Sequence, residues 1–168
     1  MMLLFGYLLV TAHLVFHELG HAAAARLMGI RVFTVRAGGG EPFLKIGAFE
    51  LAPWPTGGYT EIDAAGLARR STAGKVLFFE AGSMADLVLW GVTALFAAGV
   101  YARINQAVFF MLLFGNHCPL LPGSDIRKLV GSLLGGGTGQ EDRGGRPYDR
   151  RGDQEAYPGQ DQSTEGSD

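Results

Sequence analysis

His17-Glu18-Leu19-Gly20-His21 stands inside an apolar run that carries no formal charge from Met1 to Phe16 and resumes in Ala22 to Ala25. Read as a helix, this segment puts His17 and His21 one turn apart on the same face, where two neutral imidazoles can reach one metal ion. Glu18 is offset by one residue, which places its carboxylate to act on water as a general base and not to take a ligand position. A pattern of three fixed residues recurs by chance, so the rest of the chain has to supply a third ligand and a setting.

The helix around the motif is expected over about residues 1–28, ~42 Å at 1.5 Å per residue, which exceeds the ~30 Å hydrocarbon core of a bilayer. Gly29 supplies a stop. No positive region precedes the apolar residues, so the segment is read as retained and not as a cleaved signal. Residues 30–73 change character: short runs such as Val32 to Val35 and Phe43 to Ile46 are broken by Gly38-Gly39-Gly40, Pro42, Gly47, Pro53, Pro55 and Gly57-Gly58. That punctuation predicts a small β-structure of hairpins. A second apolar stretch, 75–100, contains Glu80 and Asp86 and then fifteen uncharged residues from Leu87 to Tyr101. Either carboxylate at mid-bilayer costs about 2.5 to 3.5 kcal/mol on insertion scales, so both must face protein or water. Asp86 is therefore a functional candidate, while Glu80 is read as an interfacial carboxylate near a helix start. The third stretch, 104–123, is uncharged and runs into Asn116-His117-Cys118-Pro119-Leu120-Leu121-Pro122-Gly123-Ser124-Asp125. Its two prolines free backbone groups, which is tolerated at membrane depth only inside protein or beside a watery cavity. Ile126 to Leu134 reads as a short amphipathic exit.

Composition separates this core from the rest. From Gly135 to Asp168 there is no Val, Ile, Leu, Met or Phe, nine of 34 residues are Gly, eight are acidic and four are Arg. Such a segment cannot bury enough apolar surface to offset its chain entropy, and residues 135–168 are expected to be a disordered polar tail. Its charge of −4 leaves +2 on residues 1–134, with no basic face of the kind nucleic acid needs. The expected fold is a mainly α membrane protein, with about three transmembrane helices and a β-rich membrane-associated loop between the first two. The lone Cys118 excludes an internal disulfide and a cysteine-rich zinc site.

Charge placement gives the topology. There are seven Lys and Arg from Arg26 to Lys75, one at Arg103, and two at Arg127 and Lys128 before the tail. The positive-inside rule then puts the β-rich loop and the tail on the cytoplasmic side, with the first and third spans running in the same direction. His17 and His21 lie ~24 to 30 Å into the first span and Asp125 lies ~31 Å beyond the start of the third, so all three reach a similar depth. Two His and one carboxylate leave a position open on zinc, the composition of a catalytic site.

The chain resembles the site-2 protease family of intramembrane zinc metalloproteases, as a compact bacterial-type member without PDZ-like or CBS-like domains. The matching elements are His17 to His21, Gly57-Gly58-Tyr59, Ala81-Gly82-Ser83-Met84-Ala85-Asp86, and Asn116-x-x-Pro119 leading to Asp125, in the family's order over about residues 9–129. The resemblance implies that His17, His21 and Asp125 bind one zinc, that Glu18 activates water, and that the substrate is a transmembrane segment cleaved inside the bilayer of a bacterial plasma membrane. It also implies that Asn116 positions the substrate or the oxyanion and that the β-structure aligns an extended peptide around Gly57 and Gly58. Three positions depart from the family's pattern: Asp86 where Asn is usual, Ser83 where Pro is frequent, and Ile126 where Gly follows the ligand Asp. The spacing from Asn116 to Asp125 is one residue longer than usual. His13 completes an i, i+4, i+8 row with His17 and His21, but the outer pair is ~12 Å apart on a straight helix, so His13 is read as standing behind the ligands or lining the cavity and not as a ligand. His117 could compete with Asp125 as third ligand but lies eight residues earlier, on the outer side of the proline turn; Asp86 is the better rival, or the group that orients a ligand or Asn116. The competing reading is a zinc-binding membrane scaffold or chaperone that holds transmembrane segments without cutting them. Three spans enclose the site incompletely, so an oligomer is compatible with the sequence.

Overall fold

The structure, a computed structural model, describes residues 1–134; the expected polar tail, 135–168, lies outside the described residues. Helix α1 covers Met2–Leu27. It contains no proline, and its end is set by Gly29 at φ +67°, with Gly29 N–H bonded to Arg26 O (2.9 Å) and Ile30 N–H to Ala25 O (2.8 Å). This pair of bonds turns the chain sharply because glycine adopts the left-handed conformation without a Cβ penalty.

The chain then forms a four-stranded sheet, β1 (Val32–Gly39), β2 (Leu44–Ile46), β3 (Phe49–Leu51) and β4 (Trp54–Ile62), in the order β2-β3-β1-β4. β2 and β3 make the expected hairpin around Gly47, and β1 pairs antiparallel with β4 through Val35↔Thr60, Arg36↔Tyr59 and Ala37↔Gly58. The expected set of hairpins is corrected in one respect: β1 and β3 are parallel, with Val35 opposite Phe49. Parallel pairing joins segments that are not linked by a tight turn, so no local signal announces it. The sheet stands beside α1. Tyr7 Oη–H donates to Pro53 O at 2.6 Å at one end, and Thr60 reaches Glu18 at the other. Tyr7 and Glu18 are eleven residues apart, ~16 Å along the helix, so β4 descends next to the apolar part of α1.

A short helix α2 (Ala64–Ala68), capped by Asp63, leads to α3 (Thr72–Phe96), whose first turn is capped by Ser71. α4 covers Val100–His117 and α5 covers Asp125–Leu133. The third helix therefore begins before Arg103 and stops at His117, not at Gly123, because the ring of Pro119 cannot continue the hydrogen-bonded ladder. Among the described residues two helices, α1 and α3, are long and apolar enough to cross a bilayer. They meet through small residues. A Cβ on Gly20 would collide with the Ala81 carbonyl and lie 3.0 Å from the Ala85 Cβ, so the two backbones approach closely only because Gly20 has none. α3 and α4 are linked by the Thr93 hydroxyl donating to Asn105 Oδ1 (2.9 Å) and by stacking of Trp90 on Phe109. Ala25, Ile30, Leu67, Phe78, Phe79 and Leu129 form the buried core where α1, α3 and α5 meet. On the outer faces, Leu3, Leu8, Val88, Val92, Leu95, Phe110 and Phe114 are exposed.

Candidate metal centre

The helical turn between His17 and His21 aims both rings at α3, and hydrogen bonding fixes which nitrogen each presents. His21 Nδ1–H donates to Phe78 O at 2.7 Å, and His17 Nδ1–H donates to Asp86 Oδ2 at 2.7 Å. Both acceptors require the proton on Nδ1, so the two Nε2 atoms carry lone pairs. These face each other at 3.1 Å, and Asp125 Oδ2 lies 3.0 Å from His17 Nε2 and 3.2 Å from His21 Nε2. Three acceptors at such distances can hold a cation among them. A proton serves one nitrogen–oxygen contact at a time, whereas one divalent ion serves all three.

The triangle also has the right size. A tetrahedral zinc with ligand distances of ~2.0–2.1 Å spaces its ligand atoms ~3.3–3.4 Å apart, within a few tenths of an ångström of the three separations here. All three residues are buried and form a group compatible with a metal ion. Asp125 opens α5, and Lys128 Nζ bonds its other oxygen at 3.0 Å. The Lys128 charge beside that oxygen favours the ionised carboxylate that a metal ligand needs.

Glu18 points to the sheet. Thr60 Oγ1 lies 2.8 Å from Glu18 Oε2 and 3.0 Å from the Glu18 backbone oxygen, its single proton serving one at a time. Gly58 makes the space: a Cβ there would lie 2.8 Å from both Glu18 Cγ and Oε1 and 2.6 Å from Arg36 O. Gly57 has φ +147° and open space on its Cβ side, so β4 presents a bare backbone beside the glutamate. β4 is an edge strand of the sheet.

The other candidates separate. Asp86 stands outside the triangle: it sits on the far nitrogen of His17 and also accepts from His13 Nδ1 at 3.0 Å. Asn116 brings its amide nitrogen to 3.4 Å from His17 Nδ1, a longer contact than that of Asp86. His117 points away from the metal group and contacts Glu80 Oε2 at 3.1 Å. Thr60, Phe78 O and Lys128 were not singled out from the sequence, and Gly82 entered only as part of the Ala81 to Asp86 match. Of these only Lys128, three residues after Asp125 on a helix, had a local signal. Gly82 closes the site from α3: a Cβ there would stand 2.6 Å from Nε2 of both histidines. Gly82→Ala is accordingly expected to displace both rings and weaken zinc affinity by about 10- to 100-fold, the scale set by losing support around a ligand, as read by zinc titration of the purified variant.

Two imidazole nitrogens, a carboxylate oxygen and a flanking glutamate on an HExxH helix define a metallohydrolase-type centre. The sequence model of peptidase family M50 matches residues 5–148, and the chain belongs to that family, the site-2 proteases. Family and site together make it a membrane metallopeptidase at family level. No curated protein matches the chain.

Proposed function

We propose that this protein is a zinc-dependent endopeptidase that hydrolyses a peptide bond within or next to a transmembrane segment of a substrate protein. The observation that carries this reading is the meeting, at one point, of the His17-His21-Asp125 group, the Glu18 carboxylate and the bare edge of β4. His17 Nε2, His21 Nε2 and Asp125 Oδ2 would hold one zinc ion. When bound, zinc supplies a Lewis acid that polarises the scissile carbonyl and acidifies water.

The chain's residues do the rest. Glu18 takes the proton of the attacking water at Oε1, Thr60 holds Oε2 through its hydroxyl, and Glu18 returns the proton to the leaving amine. Peptide bonds in a substrate helix are shielded by their own hydrogen bonds, so the segment must be extended to be cut. The unpaired backbone of β4 offers the partner for an extended chain, with side-chain-free Gly57 and Gly58 at the cutting position. Unpaired peptide groups are costly next to lipid, and a substrate strand relieves that cost on both chains. The family resemblance assigns Asn116 the role of holding the substrate or the developing oxyanion. In this reading α4 is the third span, the membrane is a bacterial plasma membrane, and the distribution of Lys and Arg sets the site near the cytoplasmic face.

The test is cleavage by the purified full-length protein in proteoliposomes containing single-span substrates, with cut sites mapped by mass spectrometry. Cuts inside or beside the membrane segment are expected to disappear when zinc is stripped and to return when it is added back. Cleavage that survives complete zinc removal overturns the proposal. So does binding of single-span proteins with no cut at any zinc level, the outcome expected of a scaffold.

A further inference from the structure

Asp86 is shared between two imidazoles. Its Oδ1 lies 3.0 Å from His13 Nδ1 and its Oδ2 lies 2.7 Å from His17 Nδ1, so each carboxylate oxygen serves a different turn of α1. Two contacts from one helix face fix the plane of the carboxylate, which a single contact would leave free to rotate. His13 is 0% exposed, and its Nε2 has no hydrogen-bond partner. An apolar side chain of similar size would fill the same volume without a bare buried acceptor, so packing gives no reason for an imidazole here. The half of the ring that is used is the half that holds Asp86.

We propose that His13 is a positioning residue of the metal centre. By holding Asp86 in line with His17 Nδ1–H it sets the orientation and basicity of the His17 ring, and through that ring the retention of zinc. The inference rests on the reading of His17, His21 and Asp125 as zinc ligands. A carboxylate on the far nitrogen of a ligating imidazole is worth about 10- to 100-fold in metal affinity, and His13, one contact further out, controls part of that factor. The arrangement also predicts coupling between the two positions. An amide at position 86 puts an NH2 group where one of the two carboxylate oxygens stands, so it cannot accept from both imidazoles at the positions they now occupy.

The experiment is the rate of zinc release from the purified, zinc-loaded full-length protein to a chromogenic chelator, alongside thermal melting of the zinc-free forms. His13→Leu is expected to speed release about tenfold, and Asp86→Asn by about 10- to 100-fold. His13→Asn, whose amide nitrogen can stand where Nδ1 stands, is expected to stay within about threefold of wild type. Combining His13→Leu with Asp86→Asn is expected to speed release by less than the product of the two single effects, since His13 acts through Asp86. The zinc-free His13→Leu protein is expected to melt no lower than the zinc-free wild type. Release at the wild-type rate in His13→Leu overturns the inference. So does equal acceleration by His13→Leu and His13→Asn, or a fall in zinc-free stability that accounts for the release. His17→Ala protein that retains zinc as wild type does sinks the ligand assignment instead, a result distinct from all of these.

Discussion

Glu18→Gln is expected to lower kcat by about 10²- to 10⁴-fold, the usual contribution of a positioned general base, while leaving bound zinc unchanged. The glutamine amide has nearly the shape of the carboxylate, and its oxygen can still accept from the Thr60 hydroxyl that holds Glu18 Oε2 at 2.8 Å. What it cannot do is take a proton. The loss corresponds to about 3 to 5 kcal/mol of transition-state stabilisation at 1.36 kcal/mol per decade. Because Glu18 contributes nothing to the triangle of His17, His21 and Asp125, metal content measured by plasma mass spectrometry should match wild type. Turnover within about tenfold of wild type would remove Glu18 from the chemistry.

Asp125→Ala is the second large effect. It leaves two imidazoles, whose Nε2 atoms are 3.1 Å apart, as the remaining protein ligands. Zinc affinity should fall by more than ~100-fold, beyond the range seen when only a supporting contact is lost. The substitution also frees Lys128, but that side chain is 47% exposed and turns to solvent at little cost. The first turn of α5 loses its only acid, worth about 0.3 to 1 kcal/mol of helix-end electrostatics, too little to unfold the core. Folded, zinc-poor protein after gel filtration is the expected outcome. Full zinc stoichiometry in the variant would exclude Asp125 from the ligand set.

Much of this centre was legible because its parts are periodic or carry formal charge. The spacing of His17 and His21 needs only a helix, and the matching depths of His21 and Asp125 need only residue counts along two segments. The end of α1 was readable from Gly29, whose left-handed conformation few other residues adopt. What escaped depends on contacts between distant segments. The parallel pairing of β1 with β3 has no turn to announce it, and the closeness of Gly58 to Glu18 and of Gly82 to both imidazoles exists only once β4 and α3 are laid against α1. The third helix was placed too far along the chain because hydropathy continues through Leu120 and Leu121 while helical hydrogen bonding stops before Pro119. Asp86 was noticed as a departure from the family's pattern, and its surroundings appear only beside His13: each of its two oxygens stands against a different imidazole.

Gly82 also gives the centre a handedness of approach. Its backbone fills the side of the two imidazoles that faces α3, leaving no room there even for a methyl group, let alone a peptide. In the proposed reaction a scissile bond would therefore enter on the side where Glu18 lies beside Gly58 and Thr60. In that reaction the face of the carbonyl that is attacked would be set by a missing side chain on a neighbouring helix, before any substrate side chain is recognised.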